Sequence, residues 1–401
     1  MVRLPPRLRP LFPYLKPVYV RATGLLAPGT RRLSRARDGW LPTGVVDTVE
    51  TAAATSGGRA EVARPAELLD RPPRPTGLPP DLAVTDPGDS LNVPRVAAAE
   101  LPDGRVLGPH RAIVTGRGDL LQELSRYFGT RRPLEHPLFL NPFPPQPLEV
   151  PGRLGVLASR GDGNYYHFLH DVLPRLAVLE ATSIAAPDRW YVPATARFQR
   201  ELLDLVGITE DRRIDADRHP HVRAGCLVVP GVPAMTEKNP PWVGAFLRER
   251  LLDPSLGERP RARVYVTRGP SANNRTVVND DEVGALLAER GFVTVDPGAQ
   301  SVREQIETFA TASVIVATHG AALANLVFAS FGTSVIELFP AGCLLPDYWR
   351  MACGVPGMSY RYLSSTGGPS RPTRAQTIVR DIEVDIRALR RLLDEAGATE
   401  Q

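Results

Sequence analysis

Cysteine is scarce. Cys226, Cys343 and Cys353 are the only three among 401 residues. They form no CxxC pair and cannot all be bridged, which argues against a disulfide framework and a structural zinc site and favours a reducing compartment. Aromatic residues make up 6% of the chain, with no interleaved arginine–aromatic platform of the kind a single-stranded nucleic acid needs. No apolar run reaches the ~20 residues of a transmembrane helix. There is no GxGxxG, no Walker A loop and no G-x-S-x-G elbow, so a nicotinamide cofactor, an ATPase and an esterase all lack their signatures.

What is present is a chain long enough for two or three domains, with 43% hydrophobic residues and a net charge of +4 that suits an anionic ligand. Residues 1–90 read as a Pro/Arg-rich arm, partly disordered, with a short strand near Val45–Thr48. Its first part, Met1 to Arg37, is basic but interrupted by Pro5, Pro6, Pro10, Pro13 and Pro17, and so lacks a signal peptide's apolar core. The plain reading is a solvated arm. The other is peripheral contact with an anionic membrane through its basic residues and Leu11, Phe12, Tyr14 and Tyr19.

Alternation of strands and helices marks residues 91–255 as one α/β domain and residues 256–375 as a second, joined by a charged linker from Asp253 to Arg263. The second domain alternates most clearly. Strands are expected at Val264–Thr267, Phe292–Val295, Val314–Ala317 and Val335–Leu338. Helices are expected at Asp280–Arg290, capped by Asn279 with Glu282, at Val302–Thr311 behind a Ser301/Glu304 capping box, and at Ala321–Phe328. Continuous apolar strands between capped helices predict a parallel sheet covered on both faces, which binds ligands beyond the carboxyl ends of its strands. Residues 376–401 form a last amphipathic helix, with Ile382, Ile386, Leu389 and Leu393 on one stripe, expected to pack back on the first domain.

Three constellations carry chemistry. In Gly161–Leu176, Asn164 can cap a helix that places His167 and Asp171 four residues apart on one face, with His170 near the same edge and Pro174 as a kink. A helix-start network, general acid–base chemistry and a metal site using His167, His170 and Asp171 are the competing readings. In the second constellation, Arg268 ends a strand, and Asn273, Asn274 and Arg275 follow; two such arginines clamp phosphate oxygens. The strand ending at His319 breaks into a helix at Gly320, Ala321 and Ala322, where unpaired N–H groups favour an anion. The third is Glu337, a carboxylate ending a buried strand and suited to ribose hydroxyls.

In this order, Asn164-Tyr165-Tyr166-His167-Phe168-Leu169-His170-Asp171, Val264–Arg268, Arg275, His319-Gly320-Ala321-Ala322-Leu323-Ala324-Asn325 and Val335-Ile336-Glu337-Leu338 resemble glycosyltransferase family 61 over residues 150–340. That family includes capsular-polysaccharide-type bacterial enzymes and eukaryotic protein and xylan glycosyltransferases. The resemblance implies an α/β fold of GT-B type, with two Rossmann-like domains facing across a cleft. It implies an inverting transfer from a nucleotide sugar, UDP-linked by expectation, to a hydroxyl acceptor, with no cofactor and no essential metal. A cytoplasmic placement, at the inner face of the membrane if the basic arm docks there, goes with it. Asp171 is the favoured base and His167 its alternative. Asn164, Tyr165, His170, Arg268, Arg275, His319, Gly320, Ala321, Ala322, Asn325 and Glu337 are the candidate substrate contacts. The chain departs from the family in having Gly269 where a second consecutive arginine is usual; Arg275 is the candidate replacement. A non-catalytic nucleotide- or glycan-binding module, and a metal-dependent hydrolase built on the His167 cluster, are the alternatives.

Overall fold

The computed structural model describes residues 12–37, 39–70, 90–127, 130, 132–233, 239–258, 262–269, 275–366 and 380–398. They divide into two compact units, residues 1–67 with 93–235 and residues 68–92 with 236–401.

The first unit is built on a mixed sheet. Its strands are Gly44–Val46 (β1), Arg59–Arg64 (β2), Val96–Pro102 (β5), Arg105–Leu107 (β6), Ala112–Val114 (β7), Asp119–Leu121 (β8), Leu148–Val156 (β9), Arg189–Val192 (β10), Arg213–Asp215 (β11) and His221–Pro230 (β12). Two further strands, Glu67–Asp70 (β3) and Ser90–Val93 (β4), form a separate two-stranded pair that falls mainly in the 68–92 segment of the second unit. The spatial order is β1-β8-β7-β6-β12-β9-β10-β11, with β5 also on β12 and β2 on β5. Pairing within β12-β9-β10-β11 is parallel, whereas β12 meets β5 and β6 antiparallel. The Rossmann-like expectation therefore applies to one side of this sheet only, because short hairpins before residue 125 build the other. Helices Phe12–Arg35 (α1), Val49–Thr55 (α2), Tyr165–His167 (α3), Arg175–Glu180 (α4) and Arg197–Leu205 (α5) accompany it.

Much of the stretch expected to be a loose arm is thus folded. β1 pairs parallel with β8, β2 pairs with β5, and Thr48 caps α2 by accepting from Thr51 N–H at 3.2 Å. α1 runs through Pro17 and Pro28 because it buries Val20, Thr23, Ala27 and Ser34. Ala27 joins a core with Leu41, Leu107, Leu138 and Phe139. The Arg71–Pro80 prolines lie outside the described residues.

The second unit holds an all-parallel sheet of Ala262–Val266 (β13), Phe292–Val295 (β14), Ala312–Thr318 (β15), Ser334–Phe339 (β16) and Ser359–Ser364 (β17). The order is β14-β13-β15-β16-β17, a 2-1-3-4-5 doubly wound arrangement. Its helices are Pro241–Leu251 (α6), Asp280–Glu289 (α7), Val302–Ala310 (α8), Asp347–Cys353 (α9) and Ile386–Glu395 (α10). Two expectations are corrected. The break between units falls at residue 236 rather than 256, because α6 belongs to the second: Arg248 donates to Val327 O at 2.8 Å and Ala329 O at 2.9 Å. The Pro/Gly/charge signal after it marks a surface connection, not a boundary. The C-terminal helix α10 docks in the second unit and not on the first. Leu389 and Leu393 complete a core with Leu286, Phe292, Val316 and Leu338. Among the described residues no helix is long and apolar enough to cross a membrane.

Candidate anion site and imidazole–carboxylate pair

In a 2-1-3-4-5 sheet the strand order reverses between β13 and β15, and the crevice beyond their carboxyl ends is the place for a ligand. Arg268 follows β13 and His319-Gly320 follows β15. The structure brings them together. Arg268 Nη1 donates to His319 O at 2.9 Å. A Cβ on Gly320 would come within 2.4 Å of Nη1, so the guanidinium rests on the glycine backbone. The following segment, Ala321–Phe328, is a 3₁₀ turn rather than an α-helix. Its first internally bonded N–H is Leu323, donating to Gly320 O at 3.0 Å. Ala321 and Ala322, half-buried, stand ahead of it, where a helical turn offers its N–H groups no internal acceptor.

Arg275 joins this corner in a left-handed conformation, φ +86°. Asp381 Oδ1 pins it by accepting from the N–H groups of Arg275 at 3.1 Å and Thr276 at 3.0 Å. Burial, and then the charge of Arg275, bring Arg268 down to about 10, still protonated at neutral pH. Burial lowers Arg275 as well, against the opposing fields of Cys343, Tyr348 and Glu337. Among the described residues neither Nε has a hydrogen-bond partner and neither guanidinium makes an ion pair. Half-buried cations left in that state are suited to an incoming anion. The glycine after Arg268 also has a reason. Gly269 has φ +53°, and a Cβ there would lie 2.3 Å from Asp296 Oδ2. An arginine at that position would be strained by that φ and would have to displace the Asp296 carboxylate. Asn273 and Asn274 lie outside the described residues.

Two expected ligand contacts are structural instead. Glu337 is fully buried, and its Oε1 meets His319 Nδ1 at 2.5 Å while Oε2 accepts from the Tyr360 hydroxyl. Both oxygens are engaged and no surface of the carboxylate is exposed, so as folded it is closed to ribose hydroxyls; it orients the imidazole. His319 stacks on Phe339 at 5.0 Å and leans on Tyr348 at 5.4 Å. Burial and then Glu337 hold the Tyr348 and Tyr360 hydroxyls well above the usual phenol range. Asn325, also fully buried, donates to Gln305 Oε1 and Ala322 O, each at 3.1 Å.

In the first unit, Asn164 caps as expected, accepting from Tyr166 N–H at 2.9 Å. After α3 the chain widens into a π-helical turn, Phe168–Val172, where Leu173 N–H reaches Phe168 O at 3.1 Å. Pro174 has no N–H for the α ladder, and the helix restarts at Arg175. His167 Nδ1 lies 2.9 Å from Asp171 Oδ2. The histidine side chain keeps 22% exposure against 10% for the carboxylate, so the imidazole is the outer member. Burial pushes the Asp171 carboxyl up, against the pull of the His167 hydrogen bond. Gly161, at φ +82°, lies under the ring; a Cβ would sit 3.0 Å from it. Its loop is fixed by two buried arginines. Arg111 Nε donates to Asp162 Oδ2 at 3.1 Å, and Arg175 donates to Ala158 O and Pro230 O.

The three-ligand metal reading fails here. His170 stacks on Tyr166 at 4.9 Å, and among the described residues no group of three or more His, Cys, Asp or Glu side chains is placed to hold a metal ion. Tyr165, half-buried, sits edge-on to Phe198 at 5.5 Å. The sequence reading missed Tyr348, Tyr360 and Asp296. Tyr360 could have been found from its place on a strand beside β16; Tyr348 and Asp296 carry no local signal.

A doubly wound parallel sheet with two arginines at its switch point, and an imidazole–carboxylate pair in another unit, define an α/β protein. Residues 165–336 match the family model "Glycosyltransferase 61", and the chain's resemblance to that family is thereby borne out. It is also similar to protein O-linked-mannose beta-1,4-N-acetylglucosaminyltransferase 2 of several vertebrates. Identity is 29% over 125 residues with the Canis lupus familiaris protein, 30% of this chain and 21% of the relative. It is 30% over 105 residues with that of Tetraodon nigroviridis (25% and 18%). It is 31% over 96 residues with that of Danio rerio (23% and 17%). The chain thus matches about a fifth of these relatives' length. These three relatives are vertebrate proteins and give no support to a bacterial capsule context.

Proposed function

We propose that this chain is an inverting glycosyltransferase with a GT-B-type division of labour: the second unit binds a nucleotide sugar and the first carries the base. The reading rests above all on Arg268 and Arg275, two half-buried guanidiniums at the β13/β15 switch point whose Nε atoms have no partner among the described residues. They hold the diphosphate together with the N–H groups of Ala321 and Ala322. As the bond from the anomeric carbon to the diphosphate oxygen breaks, these donors take up the charge that grows on the leaving group. This stabilisation is of the kind a divalent ion otherwise supplies, and metal independence is part of the proposal. Asp296, at the end of β14, takes the ribose role that Glu337 cannot. His167 accepts the proton of the attacking hydroxyl while Asp171, behind it, fixes the ring and stabilises the imidazolium. This reverses the order favoured from sequence, because the carboxylate is the buried partner. The donor to try first is UDP-N-acetylglucosamine, in line with the relatives' name.

Isothermal titration of the full chain with UDP and UDP-N-acetylglucosamine, without and with chelator, tests the reading. Saturable binding that chelator leaves intact and Arg268→Ala weakens is expected. No binding of any nucleoside diphosphate by the wild type would overturn it.

A further inference from the structure

The helix α1 has a second face. Its buried residues Val20, Thr23, Ala27 and Ser34 form one stripe at ~3.6 residues per turn. Leu15, Val18, Ala22, Leu25, Leu26 and Leu33 form another on the far side, all exposed, with Leu25 at 84%. Single exposed leucines are ordinary, but a stripe running ~27 Å along one helix, at 1.5 Å per residue, is not. Arg21, Arg32 and Arg35, all exposed, follow one edge of it. Neither Asp nor Glu occurs anywhere from Met1 to Arg37.

We infer that this stripe lies in the headgroup region of an anionic lipid bilayer, with α1 parallel to the surface. The charge pattern selects lipid over a protein partner. An apolar face edged by arginines, on a segment without carboxylates, complements anionic headgroups above hydrocarbon. The residues differ from those the sequence suggested. Tyr19 is half-buried, and Lys16 Nζ sits over the Tyr127 ring at 5.3 Å. Leu11 and the side chains of Phe12 and Tyr14 lie outside the described residues. The inference does not depend on the transferase reading.

Co-sedimentation of the full chain with vesicles tests it, using phosphatidylcholine alone and phosphatidylcholine mixed with phosphatidylglycerol. Binding is expected to the anionic vesicles, and at most weak binding to the neutral ones. Leu25→Glu with Leu26→Glu should weaken it at least tenfold. Each of Arg21→Gln, Arg32→Gln and Arg35→Gln should weaken it about fivefold, and added salt should act in the same direction. All five positions are exposed, and unchanged melting curves check that the variants fold. No sedimentation with anionic vesicles, or equal sedimentation of the double glutamate variant, would overturn the inference. So would a concentration-dependent dimer that the same variant abolishes, in the absence of vesicle binding; the stripe would then belong to a second copy of the chain.

Discussion

His319 and Glu337 stand at neighbouring parallel strands, with Nδ1 of the imidazole 2.5 Å from Oε1 of a carboxylate that has no solvent exposure. Tyr360 closes the other oxygen from β17. In the neutral ring this arrangement places the proton on Nδ1 and leaves Nε2 as an acceptor. The group read from sequence as a ribose contact is therefore the support for the residue at which the strand turns.

That support can be removed one bond at a time. Tyr360→Phe keeps the ring but leaves Oε2 without its donor, and a buried acceptor left unmade costs about 1–3 kcal/mol. Urea unfolding should show that loss with an unchanged m-value. Glu337→Gln should cost a similar amount and also loosen the His319 tautomer. If both variants unfold at the wild-type midpoint, the network is not holding the turn.

The arginine pair gives the most direct binding prediction. Hydrogen bonds to charged groups are worth about 1.5–3 kcal/mol, so Arg268→Ala and Arg275→Ala should each weaken UDP about 10–100-fold. Arg268→Lys should recover part of the loss, because a point charge replaces a planar fork. Arg268 is held down to about 10, so it stays cationic through neutral pH. Its share of the affinity should be flat from neutral to mildly alkaline pH and fall as pH rises through about 10. Titration calorimetry across that range reads both effects; an alanine variant with wild-type affinity would remove the arginine from the site.

The second unit was largely legible because its elements are local. Ser301 and Glu304 form the expected capping box, and the four predicted strands pair in parallel. What was illegible was the use of side chains across distance. Asn279 stands at the N-cap of α7 as expected and its Nδ2 reaches Glu282, but it makes no side-chain cap bond to the helix backbone; its amide also holds Val384, through Nδ2 to Val384 O at 2.9 Å and Val384 N–H to Oδ1 at 3.0 Å. A carboxylate at a strand end reads the same whether it faces a ligand or a tyrosine on the next strand, so the sequence alone does not reveal that Glu337 faces Tyr360. In the first unit, short hairpins and a helix with two prolines carry weak periodicity. Tertiary burial of Val20 and Ala27, not propensity, decides that α1 forms.

Gly269 and Asp296 make a pair that can be tested as a cycle. Gly269→Ala places a left-handed φ on an L-residue, which costs about 1–2 kcal/mol, and drives Cβ into the carboxylate. In an Asp296→Ala background the collision disappears and the backbone penalty stays. The two losses should therefore be less than additive in chemical denaturation. Asp296→Ala alone should reduce the preference for UDP over its 2′-deoxy counterpart. Retained discrimination would exclude Asp296 as the ribose acceptor.

The His167–Asp171 pair separates chemistry from stability. Asp171→Asn preserves volume but favours the other tautomer, and loss of an orienting carboxylate behind a histidine base lowers turnover by up to about 10⁴. Folding should respond differently. Burial raises the folded carboxyl above its unfolded value, so the native state binds the proton more tightly than the unfolded chain. Stability from this group is fully present below about pH 4, the unfolded value, and is lost as pH rises through the raised folded value. The asparagine variant has no such loss. Relative to wild type it should gain stability as pH goes from about 4 to neutral, while its turnover stays low throughout. Urea midpoints at the two ends of that range give the sign. A variant that loses stability with rising pH relative to wild type would mean that the His167 hydrogen bond outweighs burial at Asp171.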